Sequence, residues 1–380
     1  KEPLHTLEQV RGQALPPDLK VETLARDRIR PFLEQAIRDS YGDRFDDLVR
    51  LYQALHLLAP DQDAQQALLD LYQGQVAAFY NPKDHTMKII EGLDPDQPFL
   101  KVILVHELTH ALQDRRLPLY KIMMKRAGSR DQSLALQSLL EGEAVLVMTM
   151  AALNGEVADA SQEPKERLET LEKGLSLYAQ DLTGLVPDAP KFFVHDLLIP
   201  YQAGVRFVFD AYKKGGWKTV DALYKPLPCC MEEILHPEGG PACPSLKAGS
   251  VRFKLPGYTA RARDSFGETG FKYLFETHGE EGLAVAAAAG WDGDEAVLFS
   301  GRRGDVVAWF TRWDTVGDRE EAVAAFQAYG KKEGLRVRPV IGRRAALFLI
   351  TPGPLPALPG SVFDLIQTLE ESDEQSCPNS

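Results

Sequence analysis

A chain of 380 residues with 44% hydrophobic and 26% charged side chains can bury at least one full core, and its length suits two or three domains. Its 43 Lys plus Arg against 55 Asp plus Glu give a net charge of −12, which repels phosphate backbones and anionic headgroups and sets nucleic acid aside as a partner. The longest mostly apolar run, Ala144 to Leu153 with Thr149 interrupting it, falls short of the roughly 20 residues of a membrane-crossing helix, so no membrane span is expected.

From Asp18 to Tyr72 apolar residues recur at helical spacing, as in Phe45, Leu48, Val49, Tyr52 and Leu55, with Pro31 allowing a kink. This predicts an N-terminal helical region over residues 1–72. Two short apolar runs, Gln75 to Tyr80 and Met87 to Ile90, flank the turn residues Asn81 to Asp84 and predict a β-hairpin. Helices are expected from Asp96 to Arg116, Asp131 to Leu153, Pro164 to Leu182 and Lys191 to Lys214, so that residues 73–263 form one mainly helical domain. After Pro237 the texture turns to Gly and Pro, with a short strand at Ser250 to Lys254 and a boundary near Asp264. Strands at Ala296 to Phe299, Val306 to Trp313 and Ala345 to Ile350, with a helix from Glu320 to Tyr329 after Asp318, make residues 264–369 a small α+β unit. The polar residues 370–380 read as a frayed tail. The fold class expected is α+β.

Cys229, Cys230 and Cys243 flank a segment rich in Pro and Gly, where a disulfide would pin a loop and imply an oxidising compartment and an exported protein. Zinc-knuckle ligation does not suit adjacent cysteines without a second CxxC pair. The acidic turn Gly290-Trp291-Asp292-Gly293-Asp294 offers too few regularly spaced oxygens for a calcium loop of the EF-hand type.

The segment His106-Glu107-Leu108-Thr109-His110 fits H-E-x-x-H inside a stretch that is helical by its own apolar spacing. Positions four apart on a helix face one way, so both imidazoles can bind a single Zn²⁺ ion. Glu107, one position on, can accept a proton from a water activated at the metal. A metzincin would require Gly and His where this chain has Gln113 and Arg116, so the third ligand must come from elsewhere. The apolar helix from Gln132 to Leu153 contains Glu141-Gly142-Glu143, and a glutamate among apolar residues is costly to bury unless a cation neutralises it. Glu141 and Glu143 lie on different helix faces and cannot be equivalent ligands. Asp114 is placed to orient His110, whereas His195, beside Asp196, reads as structural.

The run His106-Glu107-Leu108-Thr109-His110-Ala111-Leu112-Gln113-Asp114 resembles the active-site helix of thermolysin-like gluzincins, and Glu141-Gly142 resembles the step that supplies their glutamate ligand. The chain also looks like a bacterial group of uncharacterised zinc peptidases with the same helix and a downstream L-H-P-E segment, present here as Leu235 to Glu238. The likeness to well-studied gluzincins extends over Gln75 to Glu143, with a longer gap between His110 and Glu141 than in thermolysin. It implies Glu141 as third ligand, a zincin-like catalytic domain, and an edge strand at Gly74 to Tyr80 on which an extended peptide or protein substrate could pair. It also implies a downstream Tyr or His that donates to the oxyanion formed on the substrate carbonyl, and Tyr201, after Pro200, and His236, before Pro237, are the candidates. The expected activity is that of an endopeptidase, since the G-A-M-E-N segment of aminopeptidases is absent. The rival expectation is an exported binding or scaffold protein, or a latent enzyme, on a peptidase fold.

Overall fold

The computed structural model describes residues 2–73, 76–94, 97–152, 166, 169, 173, 189–239, 244–246, 249–278 and 284–371. In chain order the helices are α1 (Glu2–Arg11), α2 (Arg26–Tyr41), α3 (Phe45–Ala54), α4 (Ala64–Gln73), α5 (Pro98–Arg116), α6 (Leu119–Arg126), α7 (Arg130–Ala152) and α8 (Lys191–Gly215). They continue as α9 (Trp217–Ala222), α10 (Met231–Leu235), α11 (Gly267–His278), α12 (Ala284–Ala288), α13 (Val316–Glu333) and α14 (Ser361–Glu371). The strands are β1 (Lys20–Leu24), β2 (Ala78–Asn81), β3 (Thr86–Ile90), β4 (Tyr258–Asp264), β5 (Trp291–Gly301), β6 (Gly304–Trp313), β7 (Arg336–Ile341) and β8 (Ala345–Thr351). The chain is an α+β protein, as its pattern predicts. The helix expected from Pro164 to Leu182 lies, apart from three isolated positions, outside the described residues, as does Cys243.

Two compact units divide the chain, and neither is a single stretch of sequence. The first takes residues 1–40, 65–125 and 134–228, and the second takes 41–64, 126–133 and 229–380. The expected N-terminal region of 1–72 is therefore shared between them, and the second unit takes up the chain from Cys229 instead of Asp264.

In the first unit a three-stranded sheet of order β1-β3-β2 pairs β2 antiparallel and β1 parallel to β3. The β2–β3 pair is the expected hairpin, while β1 interrupts the segment read as helical. Val105, Leu108 and Leu112 of α5 pack with Leu7 of α1, Met87 of β3, and Val147 and Ala151 of α7. On the other side of α7, Leu136, Leu139, Leu146 and Met150 pack against Val208 and Phe209 of α8 and Val220 and Tyr224 after it. Each such side chain, fully buried, contributes about 2 kcal/mol of transfer free energy. By length and composition α7 could cross a membrane, but 78% of its apolar window is buried inside the protein, the condition of a core helix. Helices α7 and α8 approach closely where both carry glycine: a Cβ on Gly204 would lie 2.0 Å from the Ser138 carbonyl oxygen. Pro200 sits inside α8, so Tyr201 lies within a 25-residue helix and does not open one.

In the second unit five antiparallel strands run in the order β4-β5-β6-β8-β7. Val297, Phe299, Val306, Phe310, Leu347 and Leu349 alternate inward from the sheet and meet Val362, Ile366 and Leu369 of α14. Residues 251–255 form no named strand, although Val251, Phe253 and Leu255 are buried alternately. Helix α13 starts at Thr315, whose hydroxyl accepts the Asp318 N–H while Asp318 accepts the Thr315 N–H. The start is thus a capping box three residues before the expected cap. The segment read as an acidic turn lies in β5 at a bulge between Trp291 and Asp294. Glu370 at the expected frayed end accepts the N–H groups of Arg344 and Ala345 at 2.8 and 2.7 Å.

Candidate metal centre

Helix α5 begins with Pro98 in its first turn, a position where the missing N–H costs nothing, and runs unbroken through the H-E-x-x-H segment. Its four-residue repeat brings the rings of His106 and His110 edge to face, with their Nε2 atoms 3.2 Å apart. Glu141 of α7 completes a triangle, its Oε2 lying 3.1 Å from His106 Nε2 and 3.7 Å from His110 Nε2. A tetrahedral zinc with bonds of about 2.0–2.1 Å needs donor atoms about 3.3 Å apart, so these three edges have the right length.

Charge and hydrogen bonding fit the same occupant. Glu141 Oε2 is sealed from solvent and takes no well-formed hydrogen bond, an arrangement that a cation among the three donors relieves. Burial alone would raise the Glu141 carboxyl, but the neighbouring His110 and His106 rings hold it well below the usual carboxylate range. Burial likewise disfavours the His110 cation, and Glu141 and Glu107 outweigh it, pushing His110 up to about 9. Two imidazoles and one carboxylate could hold a divalent ion and leave a fourth position open.

Glu107 is tied to the sheet. Its Oε2 accepts the backbone N–H of Tyr80 in β2 at 2.9 Å, and among the described residues β2 has a strand partner on one side only. The strand is the expected edge strand, though residues 74 and 75 at its predicted start are outside the described residues. Tyr201 lies beside His106, its ring stacked at a centroid distance of 6.3 Å and an angle of 22°. The remaining oxyanion candidate, His236, is in the second unit, exposed, with Nε2 2.9 Å from Glu268 Oε2.

Asp114 does not orient His110. It accepts from Tyr80 Oη and His85 Nδ1 at 2.7 Å each and from Leu119 N at 2.9 Å, facing the hairpin because it lies a helical position past the imidazole. Gln113 takes that part, with its Oε1 2.8 Å from His110 Nδ1. Glu143 is fully buried and turned away from the histidines: Arg11 Nε donates to it at 2.7 Å, Arg116 Nη2 at 3.0 Å and Gln113 Nε2 at 3.1 Å, and Tyr224 Oη donates as well. Burial raises its carboxyl and the charges of Arg116 and Arg11 overcome that, holding it below the ordinary value. Gln113, Arg11 and Tyr224 were not singled out from sequence. The residues that rule out a metzincin, Gln113 and Arg116, gave the one available hint.

Elsewhere, His195 Nδ1 lies 3.2 Å from Asp196 Oδ1, and Cys229 Sγ donates to Glu233 Oε1 at 3.0 Å. Asp294, weighed above for calcium, accepts from Ser265 Oγ, the N–H groups of Phe266 and Gly267, and the indoles of Trp291 and Trp309, all within 3.1 Å.

Among known proteins, residues 254–352 match a domain of unknown function, DUF8575. That stretch runs from just before β4 through β8 and excludes His106, His110 and Glu141. No curated protein and no solved structure matches the chain.

Proposed function

We propose that the protein is a zinc-dependent peptidase, an endopeptidase of the gluzincin type, with His106, His110 and Glu141 as metal ligands and Glu107 as general base. The observation that carries this reading is the triangle of Nε2, Nε2 and Oε2 atoms with edges of 3.2, 3.1 and 3.7 Å, close enough together for one divalent ion to take all three as ligands. When bound, zinc would supply a Lewis acid that polarises a substrate carbonyl and lowers the pKa of water.

The chain's own groups would do the rest. Glu107 would take a proton from the attacking water and hand it to the leaving amine, so that the proton is conserved across the step. The Tyr80 N–H on Glu107 Oε2 holds this carboxylate in one orientation through the transfer. Tyr201, beside His106, would donate to the oxygen that becomes negative as the carbonyl is attacked. The side of β2 away from β3, without a strand partner among the described residues, would offer an extended peptide main-chain pairing beyond the Tyr80 N–H, a mode that tolerates many side chains and so suits internal cleavage.

The test is metal content and peptide hydrolysis measured together. About one zinc per chain is expected in the wild type, with loss in Glu141→Ala. Glu107→Gln should keep the metal and lose hydrolysis of casein or a quenched fluorescent peptide by at least about a hundredfold. A Glu107→Gln protein as active as wild type would overturn the assignment.

A further inference from the structure

We infer that Glu143 and Gln113 form a positioning relay that fixes which nitrogen of His110 faces the metal. The inference takes its functional consequence from the zinc-site reading, but its geometry stands on the protein alone.

The argument runs from the deepest group outward. Both oxygens of Glu143 face donors, Arg11 Nε on Oε1, Arg116 on each and Tyr224 Oη on Oε2, so toward Gln113 it presents an acceptor. Gln113 is fully buried and its amide has one donor end and one acceptor end. The donor end meets two acceptors, the Leu140 carbonyl at 2.9 Å and Glu143 Oε2 at 3.1 Å. A flipped amide would set its oxygen against both, so only one orientation is allowed. Gln113 Oε1 then faces His110 Nδ1 at 2.8 Å, and Nδ1 must carry a hydrogen. Nε2, the atom in the triangle with His106 and Glu141, is left as the coordinating nitrogen. In this way a carboxylate that touches no ligand sets the state of one.

The two glutamates of Glu141-Gly142-Glu143 therefore divide the work: one meets the metal and the other governs a histidine through an amide. Arg11 and Arg116 hold the Glu143 carboxylate in place, and Tyr224 fills a further acceptor position on it.

The experiment uses the full-length protein with ¹⁵N-labelled histidine. The readouts are solvent exchange of the His110 Nδ1–H in the metal-free protein and zinc affinity by competition with a chromophoric chelator. Gln113→Leu should turn a slowly exchanging Nδ1–H into a fast one and weaken zinc binding by about 10- to 100-fold, the usual loss when a ligand's supporting partner is removed. Glu143→Gln should do the same, since its amide can present a donor to the Gln113 donor end. Slow exchange and unchanged affinity in Gln113→Leu, or in Glu143→Gln, would overturn the relay. A wild type that takes up no zinc would remove the peptidase reading, while the exchange measurement would still decide the relay.

Discussion

A Cβ placed on Gly142 would lie 2.2 Å from the carbonyl oxygen of Gly204, so α7 and α8 meet backbone to backbone between Glu141 and the turn of helix that carries Tyr201. The obstacle is main chain, which cannot swing aside as a flexible side chain does. Gly142→Ala gains about 1 kcal/mol of helix propensity. It must also separate two packed helices, and the net cost should be at least about 3 kcal/mol, at the severe end for one methyl group. Urea unfolding of Gly142→Ala and, as a comparison, Gly128→Ala, whose added Cβ meets nothing closer than 3.9 Å, checks this. Equal midpoints for the two would mean that the contact gives way easily.

Metal removal should cost stability. The His106, His110 and Glu141 donors lie within reach of one ion, and zinc at a hundred times its dissociation constant adds about 2.7 kcal/mol to the folded state. Thermal unfolding with excess zinc and with a chelator should give a higher midpoint in zinc for the wild type. The shift should vanish in His110→Ala. A shift of the same size in His110→Ala would place the ion elsewhere.

Asp131 should make the second unit less stable as pH rises. Burial, with the charges of Asp294 and Asp264 adding to it, pushes its carboxyl from 3.8 up to about 7, against the opposing Met231 N–H and Arg130. A carboxyl whose pKa is higher folded than unfolded favours the fold when protonated. That contribution is complete below the unfolded value and falls away through the folded one, by about 4 kcal/mol over the window from about 4 to 7. Asp131→Asn does not ionise and keeps an acceptor for the Met231 N–H. Relative to wild type the variant should therefore gain stability between pH 4.5 and pH 8 in urea titrations. A constant difference across that range would show that Asp131 does not titrate there.

Asp294 ties together five donors from β5, β6 and the start of α11. Asp294→Ala leaves two indole and two backbone N–H groups buried without an acceptor, each costing about 1–3 kcal/mol. A loss of about 4 kcal/mol or more is expected, with Asp294→Asn intermediate. Tryptophan fluorescence during unfolding reads it directly, because Trp291 and Trp309 are both fully buried. A loss under about 1 kcal/mol would mean that water reaches these groups.

What could be read from sequence divides along physical lines. Helices α5 and α7 were legible because the apolar spacing and the histidine pair act locally, within a turn or two. Strand β1 was not: its residues Lys20 to Thr23 are exposed, Val21 at 60%, and it is a strand because β3 pairs with it, not because its own pattern alternates. The argument that a buried glutamate needs a cation applied equally to Glu141 and Glu143. The structure separates them by partner, histidines for the first and arginines for the second, and one of those arginines is 132 residues away. No local pattern signals a partner at that distance. The same holds for Gly142, whose reason for being glycine lies in another helix.

The hydrogen bonds around Glu143 also set an order of assembly. They join residue 11 to residue 143 and residue 143 to residue 224, loops of 132 and 81 residues whose closure must precede any reward from the contacts. The histidine pair on α5 forms with its helix, but its supported geometry waits for both ends of the first unit to arrive. On the zinc-site reading, high-affinity metal uptake would be a late event in folding, and the time at which a refolding chain captures zinc would serve as a clock for completion of the whole unit.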